Sequence, residues 1–182
     1  MSRGLCLTAL AGFGLALGAC GSSSGPAAPG PPPSGTPGVM VPNEGWSHVA
    51  EGENVAYQSN PPASGPHYPV WARYQEHAAV VARPYWVHNL EHGAIVLLYR
   101  PDAGAATIAA LRDAYEAIPP DPACGHSRAL MTADPLLARP VAAVAADWVL
   151  AGDSVDRAAI LQFAGARRGR GPENVCADGT RP

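Results

Sequence analysis

The sequence has no lysine: all 12 of its basic residues are arginine. They form no block longer than Arg167-Arg168-Gly169-Arg170, and with a formal net charge of -3 this argues against a nucleic acid partner. The arginine bias itself reads as genomic composition, not chemistry. Charge of either sign is scarce, at 15% of residues against roughly 25% in an average soluble domain. A length of 182 residues suits one domain of ordinary size and leaves too little chain for two cores. No internal repeat is visible. Beyond the N-terminus, no apolar run reaches the roughly 18 residues needed to span a bilayer.

What is present begins with an address. Arg3 supplies a positive charge, and Gly4 to Gly18 is an uncharged, mostly apolar stretch too short and too glycine-broken for a stable spanning helix. It ends in Leu17-Gly18-Ala19-Cys20, which resembles the bacterial lipobox, where a Cys after two small residues is acylated and becomes the first residue. Residues 1–19 therefore read as a lipoprotein signal peptide and Cys20 as the lipidation site. More than two acyl chains give stable anchoring. The expected location is the cell envelope, on a bacterial membrane and outside the cytoplasm, with the membrane itself as partner. Residues 20–44 alternate Pro with Gly, Ser and Ala and hold few apolar side chains, so they read as a tether. The globular domain is expected over 45–182. Its two cysteines, Cys124 and Cys176, read as one disulfide in an oxidising compartment.

Periodicity predicts an α+β domain: one mainly antiparallel sheet with helices on one face, in the order β-α-β-β-α. Ala94 to Tyr99 is a continuous apolar run that fits a strand buried on both faces. Asp102 is placed to cap a helix to about Ala117, carrying Ile108, Leu111, Tyr115 and Ile118 at helical spacing. Arg128 to Thr132 and Val141 to Leu150 each predict a strand, although the second is Ala-rich and also fits a helix. Ser154 is placed to cap a last helix ending near Gly169.

The chemistry lies ahead of the first clear strand. Five of the six histidines fall between 48 and 92, four of them within His48-Val49-Ala50-Glu51-Gly52, Pro61-Pro62-Ala63-Ser64-Gly65-Pro66-His67-Tyr68 and His88-Asn89-Leu90-Glu91-His92-Gly93. Neutral imidazole is the commonest metal ligand. Prolines around His67 restrict the backbone as a rigid ligand loop requires. His77 and His126 stand in less ordered surroundings and read as surface residues. Trp46, Trp71, Trp86 and Tyr68 read as packing around the motif loops.

These motifs resemble the domain of unknown function 3105 family, and the similarity runs from about Trp46 to about Glu173. The resemblance implies a single domain in a secreted or membrane-attached bacterial protein, with His48, His67, His88 and His92 as signature histidines; it implies no reaction. Ala63 stands where the family more often has Thr. Gln75-Glu76-His77 replaces Gly-Val-Tyr, so His77 is not counted among the signature residues.

The predicted site is one copper or zinc ion held by His67, His88 and His92, with His48 as fourth ligand. Glu91 fits a ligand, a partner orienting a ring, or a base. No catalytic residue is assigned, and metal holding or transfer is expected ahead of catalysis. A second reading is an envelope interaction module without metal, in which the histidines are dispersed. A third follows from His88-x-x-Glu91-His92, a literal match to the H-x-x-E-H of inverted zinc peptidases. Gly93 and the strand that follows leave no room for the long helix of those enzymes, and Glu116 and Glu173 are poorly spaced as a third ligand.

Overall fold

The computed structural model describes Met1 and residues 35–182. The expected signal peptide, Cys20 and most of the expected tether lie outside the described residues. Among those described, no helix is long and apolar enough to cross a membrane.

The chain order is β1 (Val39–Met40), α1 (Arg83–Glu91), β2 (Ile95–Tyr99), α2 (Ala105–Glu116), β3 (Ala129–Ala133), β4 (Val141–Ala145), β5 (Trp148–Gly152) and α3 (Arg157–Arg167). The strands form one open sheet in the order β1-β5-β4-β2-β3. Only the β2–β3 pair is parallel, with Val96 opposite Leu130; the other pairs are antiparallel. This is an α+β single domain with a mainly antiparallel sheet, as expected.

Strand side chains alternate between faces. Ile95, Leu97, Met131 and Ala143 point to the face covered by Leu111, Ala114, Ile160 and Phe163 of α2 and α3. Val96, Leu98, Leu130 and Val144 point to the opposite face, where Trp86, Val87 and Leu90 of α1 pack together with loop residues Ala63, Ala72 and Val81. The two helices legible in the sequence thus share one face. The third, α1, covers the other, and Pro84 in its first turn suits a helix start because its missing N–H would be unpaired there anyway.

Four local expectations are corrected. Val141 to Leu150 is a hairpin and not one strand or a helix: Asp147, at φ 63, turns the chain between β4 and β5. Helix α2 is capped by Gly104 and not Asp102, which pairs with Arg100 instead. Helix α3 is capped by Asp156, whose side chain accepts from the Ala159 N–H at 3.0 Å, and not by Ser154. The expected boundary at 44/45 falls inside the folded arrangement, because β1 pairs with β5 and Val41 packs on the core. These short segments have too little periodicity for their ends to be read.

Candidate metal centre

The loop from Asn43 to Ala82 is irregular, so its polar groups are satisfied by side chains and by isolated backbone pairs. Ser64 Oγ accepts from the Glu44 N–H at 2.8 Å, and Gly65 N–H donates to the Gly45 carbonyl at 2.7 Å. Gly65 has φ +124, and a Cβ there would run into the Tyr57 ring; the Tyr57 hydroxyl in turn donates to the Pro66 carbonyl at 2.9 Å. His67 follows on this braced backbone and pairs with the 47–49 segment through His67 N–H to Ser47 O and Val49 N–H to His67 O. That pairing brings His48 beside it, with ring centroids 4.9 Å apart.

Helix α1 delivers the second motif. His88 and Glu91 are one turn apart, and His92 caps the end, so all three lie on one side of the helix. Leu90 points the other way into the core, and Gly93, at φ +82, ends the helix where a Cβ would strike Gly169. Asn89 clamps the neighbouring loop: its Oδ1 accepts from Ala72 N–H at 3.1 Å and its Nδ2 donates to Ala72 O at 2.8 Å. The clamp holds Trp71 against the site, stacked on His88 at 4.9 Å and edge-on to His92 at 4.5 Å.

His48, His67, His88 and Glu91 present ligand atoms within 4.8 Å of one another, and so do Glu91, His92 and Glu173. Around Glu91 Oε2 stand His67 Nε2 at 3.0 Å, His48 Nε2 at 3.6 Å and His88 Nε2 at 3.9 Å. A tetrahedral ion with bonds of about 2.0–2.1 Å separates its ligand atoms by roughly 3.3 Å, the middle of that range. His92 Nε2 lies 3.0 Å from His88 Nε2 and 3.3 Å from Glu173 Oε2. His67, His88, Glu91 and His92 are buried, whereas the His48 and Glu173 side chains are half exposed and leave the cluster open to water on their side.

Two tautomers follow from the partners. His67 Nδ1 faces the Gly65 carbonyl at 2.9 Å and His88 Nδ1 faces the Tyr68 carbonyl at 2.6 Å. A carbonyl only accepts, so both Nδ1 atoms carry hydrogen and, in the neutral rings, both Nε2 atoms present lone pairs. Burial pushes the pKa of His67 and His88 below the usual histidine value and that of His92 down to about 4. Burial, together with the nearby Glu173, pushes Glu91 up. The rings are thus held neutral, the form that binds metal.

Two residues that sequence reasoning missed complete the arrangement. Arg128, at the head of β3, is buried; its Nε donates to Asp121 Oδ2 at 2.7 Å and its Nη1 to the carbonyl of His92 at 2.8 Å and to Asn174 Oδ1 at 2.7 Å. Glu173, set aside in the sequence as poorly spaced for a third ligand, reaches the site on a C-terminal strap. The strap is fixed by the Cys124–Cys176 disulfide, with Cα atoms 5.3 Å apart, and by Glu173 N–H donating to Glu91 O at 3.1 Å. Gly171 touches the end of α1 so closely that a Cβ would overlap the Glu91 carbonyl. The glycines before Glu173 and the cysteine after it were the available signal.

The remaining histidines lie elsewhere. His126 is exposed as expected. His77, expected at the surface, is buried at 5% exposure: its N–H donates to Met131 O along the β3 edge and its ring Nε2 pairs with Arg73 O at 3.0 Å. Trp86 is core packing, while Trp71 and, edge-on to His67, Trp46 line the cluster. The H-x-x-E-H motif sits on a nine-residue helix that stops at Glu91.

Fold and site together define a small α+β domain with a buried His/Glu cluster able to hold a metal ion. The chain matches the family described as protein of unknown function (DUF3105) over residues 48–179, and it belongs to that family. No curated protein and no solved structure matches it.

Proposed function

We propose that this chain is an envelope lipoprotein, anchored through Cys20, whose domain holds a copper or zinc ion for storage or transfer. The ion sits among His48, His67, His88 and Glu91, with His92 beside it. One observation carries the metal reading. The His67 Nε2 lone pair faces a carboxylate oxygen 3.0 Å away, and two further imidazole nitrogens converge on that same oxygen. A single shared proton can satisfy one of those contacts. A single cation satisfies all of them, and without it His67 and an ionised Glu91 face each other as buried acceptors at a cost of about 1–3 kcal/mol each.

The donor set of imidazoles and a carboxylate suits zinc and copper(II). Holding is favoured over catalysis because four protein ligands close a coordination sphere. The anchoring rests on the lipobox alone.

The test is elemental analysis of the full chain purified from its native envelope, with His67→Ala, His88→Ala and the control His126→Ala. The expected result is stoichiometric copper or zinc in the wild type and control, and loss of at least tenfold in affinity for each site variant. Absence of bound metal in the wild type overturns the reading in favour of an interaction module. Cys20→Ala is expected to release the protein from the membrane fraction.

A further inference from the structure

We infer that Glu91 is a bridging ligand and that the cluster holds two metal ions, the second between Glu91, His92 and Glu173. The inference rests on the metal reading above and extends it.

Glu91 belongs to both ligand groups; its Oε2 faces the first, and a carboxylate has a second oxygen to offer another ion. On the first side stand His48, His67 and His88. On the second, His92 Nε2 and Glu173 Oε2 are 3.3 Å apart, the separation expected for two ligands of one tetrahedral ion. Carboxylate-bridged pairs hold their ions about 3.5–4 Å apart, a span that fits two adjoining groups within this cluster.

The environment of His92 is the independent observation. The ring is 2% exposed and turns its Nε2 into the cluster, whereas Nδ1, aimed away from it, is buried without a hydrogen-bond partner. Its Nε2 faces only acceptors: the lone pair of His88 Nε2 at 3.0 Å and the Glu173 carboxylate at 3.3 Å. One proton on Nε2 can be given to one of the two and leaves the other without a donor. An ion at Nε2 takes both His92 and Glu173 as ligands. Arg128 fixes the His92 carbonyl and Asn174, which places ring and carboxylate from the same side chain. A buried group of this kind, aimed at a carboxylate that another loop brings over it, is a ligand position built by the fold.

Charge sets a condition on the count. Two divalent ions beside four imidazoles and two carboxylates leave positive charge to be met by water or an anion. The half-exposed His48 and Glu173 leave the solvent side open for such ligands.

The experiment is zinc titration of the metal-stripped full chain, read by native mass spectrometry and elemental analysis. It is repeated with Glu173→Gln, whose half-exposed side chain can be changed without disturbing the core, and with His92→Ala. Two zinc ions per wild-type chain, falling to one in both variants, is the expected result. Cobalt(II) loading should give an electron-spin signal that weakens as the second equivalent couples to the first; Glu173→Gln should restore the uncoupled signal. One ion in the wild type overturns the bridge and leaves the single-ion reading standing. Two ions in both wild type and Glu173→Gln overturns the assigned position. No ion at all overturns both readings together.

Discussion

On one face of the sheet, Leu97, Met131 and Ala143 meet two helices of ordinary length. On the other, Val96, Leu98 and Val144 meet a nine-residue helix and some forty residues of loop, with every candidate ligand on that side. The first face is held mainly by apolar area, with Arg167 of α3 stacked over the Trp148 ring at 3.3 Å. The second is held also by side chains that replace missing backbone pairing: Ser64 to Glu44, Tyr57 to Pro66, Asn89 to Ala72, Arg128 to His92 and Asn174. Irregular backbone is what lets ligands arrive from three directions. The cost is that each turn needs its own polar brace.

The largest effect that tests this division is Leu97→Ala, in the buried centre of β2. Deleting a fully buried leucine costs about 2–5 kcal/mol, and it should lower the urea midpoint while zinc stoichiometry of the folded fraction stays unchanged. A variant that folds with a changed stoichiometry would show that the faces are not independent.

Acid provides the converse test on the metal-free chain. His92, His67 and His88 all have folded pKa values depressed by burial, so the folded state binds fewer protons than the unfolded one. Stability is therefore fully present above the unfolded value near 6.5 and falls as pH drops towards the His92 value of about 4. From His92 alone the loss at pH 4 is roughly 3 kcal/mol. Glu91 works the other way, because its raised pKa gives stability that is present in acid and lost as pH rises. Denaturant midpoints measured across pH 4 to 7 with and without His92→Gln should separate these; equal slopes in the two chains would mean that His92 is not the titrating group.

The smallest effect should come from Asn89→Ala. It removes both bonds to Ala72 and costs about 1–3 kcal/mol. Hydrogen exchange at Ala72 should speed up while exchange in β2 is unaltered, and Trp71 fluorescence should shift as the ring leaves His88 and His92. An unchanged Trp71 spectrum would show that the loop does not need the clamp.

The helical repeat of Ile108, Leu111 and Tyr115 and the apolar run from Ala94 to Tyr99 were readable because burial repeats along a regular element. Helix α1 was not, since its nine residues are few and its polar side, with His88 and Glu91, is buried against loops and not turned to solvent. The hairpin inside 141–150 was hidden for a related reason: Ala142, Ala143, Ala145 and Ala146 ahead of the turn give no alternation to interrupt.

The sequence by itself determined the family, the α+β class and four signature histidines, because composition, periodicity and short motifs are local properties of the chain. Only the tertiary structure decided how those histidines are shared. It placed Glu91 at the centre, set His48, His67 and His88 around it, and brought Glu173 to His92 across more than eighty residues. Ligand geometry depends on where loops are pinned, and here the pins are the buried Arg128, the Asn89 clamp and the Cys124–Cys176 bond. Those contacts join segments far apart in the chain, and no pattern within a segment records them.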